Sequence, residues 1–148
     1  MRRGPPAGAS RPASLRVDAA YVNGVMNILV EKGEVRGGRV SPVGFIVELE
    51  DGYRFYFAGD TDVFSDMRLI AERYRPTALF LPIGGHYTMD PGGAALAVEL
   101  LGVQDVVPMH YGTFPILTGT PEALQIALEE RGLPDVAVHA TTPGGALG

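Results

Sequence analysis

The chain is predicted to fold as a layered α/β domain, a mixed sheet with flanking helices. Three observations predict it. Asp51-Gly52 separates two apolar stretches, the strongest short hairpin signal. Beyond residue 60, helix and strand patterns alternate. Three successive strands also end in a polar residue at a glycine-containing turn: Asp60, His86 and His110. In open α/β folds, ligands collect just beyond the carboxyl ends of the strands.

Length and composition bound the rest. The 148 residues suffice for one domain with a real core. No apolar run is long enough to span a bilayer. Without cysteine, any metal site must use His, Asp, Glu, backbone or water, which suits Zn, Mn, Fe or Ni. The net charge is −5; Arg2, Arg3 and Arg11 face no acid within residues 1–15, so the remainder sums to −8. An acidic body without a basic patch argues against nucleic acid as a partner.

Residues 1–14 are rich in Arg, Pro, Gly, Ala and Ser without apolar periodicity and are expected to be disordered. They contain neither a signal-peptide core nor an amphipathic transit helix, so a cytoplasmic protein is expected. The folded domain is expected over residues 15–141, with a loose tail over 142–148.

Leu15 to Tyr21 alternates as a short strand, with Leu15, Val17 and Ala19 on one face, and Asn23-Gly24 signals a turn. Val25 to Val30 is a further apolar piece, followed by a loop from Glu31 to Ser41. Pro42-Val43-Gly44 opens a strand through Glu50, and Tyr53 to Ala58 returns antiparallel to deliver Asp60. Ser65 or Asp66 caps a helix whose Met67, Ile70, Ala71 and Tyr74 share one face, and Pro76 ends it. Thr77 to Pro82 forms an apolar strand running into Gly84-Gly85-His86. Asp90 caps a second helix, with Pro91 at its first position and Gly102 past its end. That helix is apolar nearly all round and should be well buried. Asp105 to Pro108 forms the next strand, ending at Met109-His110-Tyr111-Gly112. Thr120-Pro121 starts a third helix that ends at Gly132, and Val136 to Ala140 is the last strand.

Each chemical candidate has a plain structural alternative. An Asp-Thr after a strand often caps its own turn, but Asp60 follows an aromatic strand and a glycine. Asp60-Thr61-Asp62 also evokes aspartyl-phosphate hydrolases. That motif wants a small hydroxyl or β-branched residue where Phe64 stands, and a downstream lysine, whereas the only lysine is Lys32. A lone His beside an apolar run is usually structural; His110 and His86 instead sit on strand-end loops, and His139 inside the last strand is read as structural. An imidazole and a carboxylate from separate strand ends make a plausible metal site. No phosphate-binding loop, dinucleotide fingerprint or nucleophile elbow is present.

The segments VGFIVELEDGYRFYFAGDTDVFSDMRLIAERYRP, LFLPIGGHYTMDPGGAALAVELLG and VVPMHYGTFPILTGTPE resemble the metal-dependent hydrolases of the metallo-β-lactamase superfamily, the UPF0173 group. The resemblance runs from about Val43 to about Leu133, and loosely from Leu15. It implies an αββα sandwich with a metal pair at the edge between two sheets. It also implies that Asp60 of the AGDT segment bridges two divalent metals, most simply zinc, and that His110 of PMHY closes the second metal site. The GGHYTMDP segment lines the same cleft, which makes His86 a candidate catalytic contact to substrate. The implied reaction is hydrolysis of a small molecule by a metal-bridging hydroxide.

Two departures accompany the resemblance. The HxHxDH metal motif of the superfamily is missing, and Tyr21 stands roughly where a further His ligand is usual. The resemblance therefore implies the C-terminal half of the sandwich, from a truncated, split or mis-started gene, weakly active or inactive alone. A non-catalytic remnant or subunit that needs a partner half is the alternative. Half a sandwich leaves an apolar sheet face uncovered, so self-association or docking of the missing N-terminal half is expected.

Overall fold

Ile46, Tyr56, Leu79 and Val106 form a continuous row across four neighbouring strands, and all four are buried. The structure, a computed structural model, describes the backbone of residues 16–21, 30–31, 34–35 and 43 and the complete residues 44–145. In chain order the strands are β1 (Arg16–Tyr21), β2 (Val30–Glu31), β3 (Glu34–Val35), β4 (Val43–Glu48), β5 (Arg54–Phe57), β6 (Ala78–Pro82), β7 (Asp105–Met109) and β8 (Ala137–Val138). The helices are α1 (Met67–Tyr74), α2 (Pro91–Leu101) and α3 (Pro121–Glu130).

Six strands form one mixed sheet in the order β1-β4-β5-β6-β7-β8. The β1–β4 and β4–β5 pairs are antiparallel; β5–β6, β6–β7 and β7–β8 are parallel. The parallel pairs need crossovers, which α1, α2 and α3 supply. The Asp51-Gly52 turn joins β4 to β5 as predicted. Gly52 adopts φ +84°, and the Asp51 carboxylate accepts from the Tyr53 N–H at 2.9 Å.

The helices cover one face of the sheet. Ala94, Ala95, Ala97, Val98 and Leu101 of α2, Leu124 and Leu128 of α3, and Met67 and Ile70 of α1 join the buried row. The near-uniform apolarity of α2 thus reflects its central place in the helical layer. Its caps are the predicted ones: the Asp90 carboxylate accepts from the Gly93 N–H at 2.7 Å, Pro91 opens the helix, and Gly102 ends it at φ +64°. Thr120 caps α3 likewise, accepting from the Ala123 N–H.

The alternate residues face the other way. Phe45, Phe57, Phe80 and Val107 form the neighbouring row, with Phe45 39% and Phe57 38% exposed. Period-two alternation places every second residue of a strand on the opposite face. Among the described residues, no helix covers this aromatic side.

The structure departs from the predicted elements at three points. The stretch from Glu31 to Ser41, read as a loop, contains β3, which pairs antiparallel with β2. Asp66 occupies the N-cap of α1 without a side-chain capping bond; its carboxylate accepts from the Ser65 hydroxyl instead. The last strand is only Ala137–Val138. His139 therefore lies just past it, holding Asp105 at 2.7 Å. The predicted tail 1–14, the Asn23-Gly24 turn and most of the 25–30 stretch lie outside the described residues. No described helix is long and apolar enough to cross a membrane.

Candidate metal centre

β1, β5, β6, β7 and β8 all run in the same direction, so their carboxyl ends share one edge of the sheet. Asp60, His86 and His110 follow β5, β6 and β7 at that edge. Tyr21, the last residue of β1, lies at the same edge, paired with Val43. The topology thus converts four distant stretches of chain into one line of loops.

Backbone contacts lock these loops together. The Met89 N–H donates to the Thr61 carbonyl at 3.1 Å, and the Gly85 N–H donates to the Met89 carbonyl at 2.9 Å. The Ile83 N–H donates to the Met109 carbonyl at 3.0 Å, and the Gly119 N–H to the Gly84 carbonyl at 3.3 Å. Thr61 is fully buried, and its hydroxyl donates to the Asp62 carbonyl at 2.8 Å. A Cβ at Gly84 would overlap the carbonyl oxygen of His110, and one at Gly119 would overlap that of Ile83. Only glycine permits such approaches. The importance of Gly84, Gly119 and Thr61 was not legible in the sequence, where the Gly84-Gly85 pair only fails a nucleotide-binding pattern.

Three described non-glycine residues adopt positive φ: Arg75 at 49°, His86 at 59° and His110 at 56°. Arg75 ends α1, where a left-handed residue is usual. The other two are the two strand-end histidines. A left-handed backbone costs an L-residue roughly 1–2 kcal/mol, and strain of this kind concentrates at functional sites.

The structure brings Asp60 and His110 together: Nε2 of His110 lies 3.9 Å from Oδ1 of Asp60. That exceeds hydrogen-bond distance. It is nearer the separation of two ligands on one tetrahedral ion, about 3.4 Å for metal–ligand bonds of about 2.1 Å. Nδ1 of His110 is buried without a hydrogen-bond partner, as is Oγ1 of Thr88 in the neighbouring loop. One carboxylate oxygen and one imidazole nitrogen suit a divalent transition metal. They are two donors where catalytic zinc sites hold at least three, and no group of three potential ligands gathers among the described residues.

His86 is not drawn into this pair. It is exposed, its ring edge-on to Tyr87 with centroids 4.3 Å apart, and no hydrogen bond or ion pair joins it to Asp60 or His110. Asp62, weighed in the sequence only for phosphoryl chemistry, accepts from the Val63 N–H at 2.8 Å and borders Gly93 in the first turn of α2. The Asp105–His139 pair sits at the start of β7, at the opposite edge of the sheet.

Comparison with known proteins agrees with this architecture. A family profile described as "Beta-lactamase superfamily domain" matches residues 14–111. A UPF0173 metal-dependent hydrolase of Rubrobacter xylanophilus is 46% identical over 142 residues, covering 95% of this chain and 57% of its own length. One from Korarchaeum cryptofilum is 50% identical over 123 residues, covering 83% and 54%. The structure of a metallo-hydrolase from the archaeon Ignicoccus hospitalis superposes with a TM-score of 0.68 at 37% identity, over 86% of this chain and 50% of that one. The chain spans little more than half the length of these curated relatives. By sequence and by fold, it belongs to the metallo-β-lactamase superfamily, within the UPF0173 group.

Proposed function

We propose that the chain carries part of the metal centre of a metal-dependent hydrolase acting on a small molecule. Asp60 and His110 would hold a divalent metal, most simply zinc, and His86 would contact substrate. The observation that supports this most is the Asp60–His110 pair, held 3.9 Å apart by two strand-end turns, one of them strained. The relatives' names, which call them metal-dependent hydrolases, point the same way. A cytoplasmic location belongs to the same reading.

In this reading the metal, when bound, supplies Lewis acidity and a water that ionises near neutrality, so no nucleophilic side chain is needed. The chain's own residues do the positioning. Asp60 presents its carboxylate at the rim, half exposed. His110 presents Nε2 toward it while its left-handed backbone fixes the ring. His86 stands free of other partners, where it can donate to or accept from a substrate oxygen.

With two ligands the ion would be weakly held, so the chain alone would be weakly active or inactive. A second reading follows from the aromatic face that no described helix covers and from the half-length match: a subunit or remnant completed by a partner half or a second copy.

The metal content of the purified chain, beside Asp60→Ala and His110→Ala, tests the proposal. Near-stoichiometric metal, lost in both variants, is expected if the site assembles, whether within one copy or across an oligomer. Metal that survives both substitutions would sink the assignment. No metal in any of the three would leave the partner-dependent reading, which restored metal on mixing with a complementary half would then establish.

A further inference from the structure

His110 opens onto a cleft of about 750 Å³. One wall is residues 108–113, the end of β7 and its following turn; the other is residues 141–145. The second wall is there because β8 runs parallel to β7, so the chain leaving β8 emerges at the same sheet edge as His110. His139 anchors that exit, its N–H donating to the Val106 carbonyl at 2.8 Å. The wall then folds on itself: the Gly145 N–H donates to the Thr142 carbonyl at 2.8 Å, and Gly144 takes φ +83°. The volume lies within the range of small-molecule sites.

The chemistry of the walls is distinctive. Apart from the His110 imidazole, the lining holds no Asp, Glu, Lys or Arg; Pro108, Met109, Tyr111 and Pro143 supply apolar surface, and Thr113, Thr141 and Thr142 supply hydroxyls. Recognition of phosphate or carboxylate ordinarily uses Arg or Lys, and neither lines this cleft. A cation would find no carboxylate within the cleft.

From this lining we infer that the cleft beside His110 takes an uncharged substrate arm, apolar with hydrogen-bonding oxygens, as in a neutral ester, lactone or amide. The inference rests on the hydrolase reading for the word substrate, but the preference of the cleft is independent of metal.

Three probes sharing one nitrophenyl ring test it: p-nitroacetanilide (neutral), p-nitrophenyl phosphate (anionic) and (4-nitrobenzyl)trimethylammonium (cationic). Each is titrated into the full chain with chelator at pH 8, following the backbone amide signals of Thr113, Thr141 and Thr142 by NMR. The neutral probe should shift these signals and bind at least about tenfold more tightly than either charged one, roughly 1.4 kcal/mol. Thr142→Trp and, independently, Thr113→Trp should fill the cleft and abolish the shifts. Tighter binding of a charged probe, shifts that persist in both variants, or no shifts at all would overturn the inference. Metal content measured on the same preparation without chelator separates the two claims. A neutral preference without metal retains the cleft and removes a metal centre held by this chain alone, leaving the partner-dependent reading; metal without a neutral preference retains the metal centre and loses the cleft.

Discussion

The α-carbon of Gly84 lies against the carbonyl oxygen of His110, leaving no room for a methyl group between them. Because both partners are backbone, neither can rotate away. Gly84→Ala should therefore push the His110 turn off the end of β6, at a cost of about 1–3 kcal/mol from overpacking. Gly102→Ala is the control, since Gly102 has open space around it and suffers only its left-handed φ. Urea denaturation should rank Gly84→Ala as the more destabilised. The imidazole signals of His110 should move in Gly84→Ala and stay in place in Gly102→Ala; unmoved signals in both would refute the coupling.

His110 holds its ring at the site by accepting a backbone conformation that suits glycine better. Replacing it with glycine or alanine removes the same imidazole, but only glycine relieves the strain. His110→Gly should then be more stable than His110→Ala by about 1 kcal/mol, with both equally unable to retain metal. Thermal melts of the two variants decide this. Equal stabilities would mean that relieving the φ of +56° gains no more than the extra chain entropy glycine loses on folding.

Much of this architecture is legible in the sequence because its signals are local. Asp51-Gly52, the Asp90-Pro91 and Thr120-Pro121 caps and the alternation of apolar runs each act within a few residues, and each element formed near its expected place. The failures have physical causes too. β8 pairs with β7 through only two residues, so the apolar run from 136 to 140 overstates it. Asp60 and His110 could be nominated as strand-end residues, but their 3.9 Å meeting depends on the parallel register of β5, β6 and β7. Gly84 and Gly119 are invisible for the same reason, because what they touch lies 26 and 36 residues away along the chain.

Tyr56 is fully buried and its hydroxyl has no hydrogen-bond partner. Gly44 lies against the ring, where a Cβ would come within 2.6 Å of Cε2. Tyr56→Phe should be neutral or stabilising by about 1 kcal/mol, since it removes an unpaired polar atom without leaving a cavity. Burial also pushes the phenol's pKa up from its ordinary value of 10.0. A folded-state pKa above the unfolded one gives stability that is intact below pH 10 and declines as pH rises beyond it. Tyr56→Phe should flatten that alkaline decline. Denaturation midpoints at pH 8 and at pH 11 for both chains test both claims, and a steeper alkaline loss in the variant would contradict them.

No described helix covers the aromatic side of the sheet. Phe45, Phe57 and Phe80 lie side by side in one row, with the Phe57 and Phe80 rings 5.9 Å apart and Phe55 packed 5.1 Å from Phe80. Leu49 and Tyr53 extend the patch at 36% and 42% exposure. Exposed apolar surface of this continuity ordinarily marks an interface. Burying it against a second copy would gain about 25 cal/mol for each Å² of apolar area removed from water. Sedimentation velocity should therefore show association that grows with protein concentration. Phe57→Ser, and independently Phe45→Ser, should shift the chain toward monomer, because each places a hydroxyl where the partner's rings would pack. Ile126→Ser serves as the control: Ile126 is 57% exposed but sits on α3, in the helical layer. A strictly monomeric wild-type chain at about 100 µM, or equal dissociation by the Ile126 variant, would show that this face is not what holds copies together.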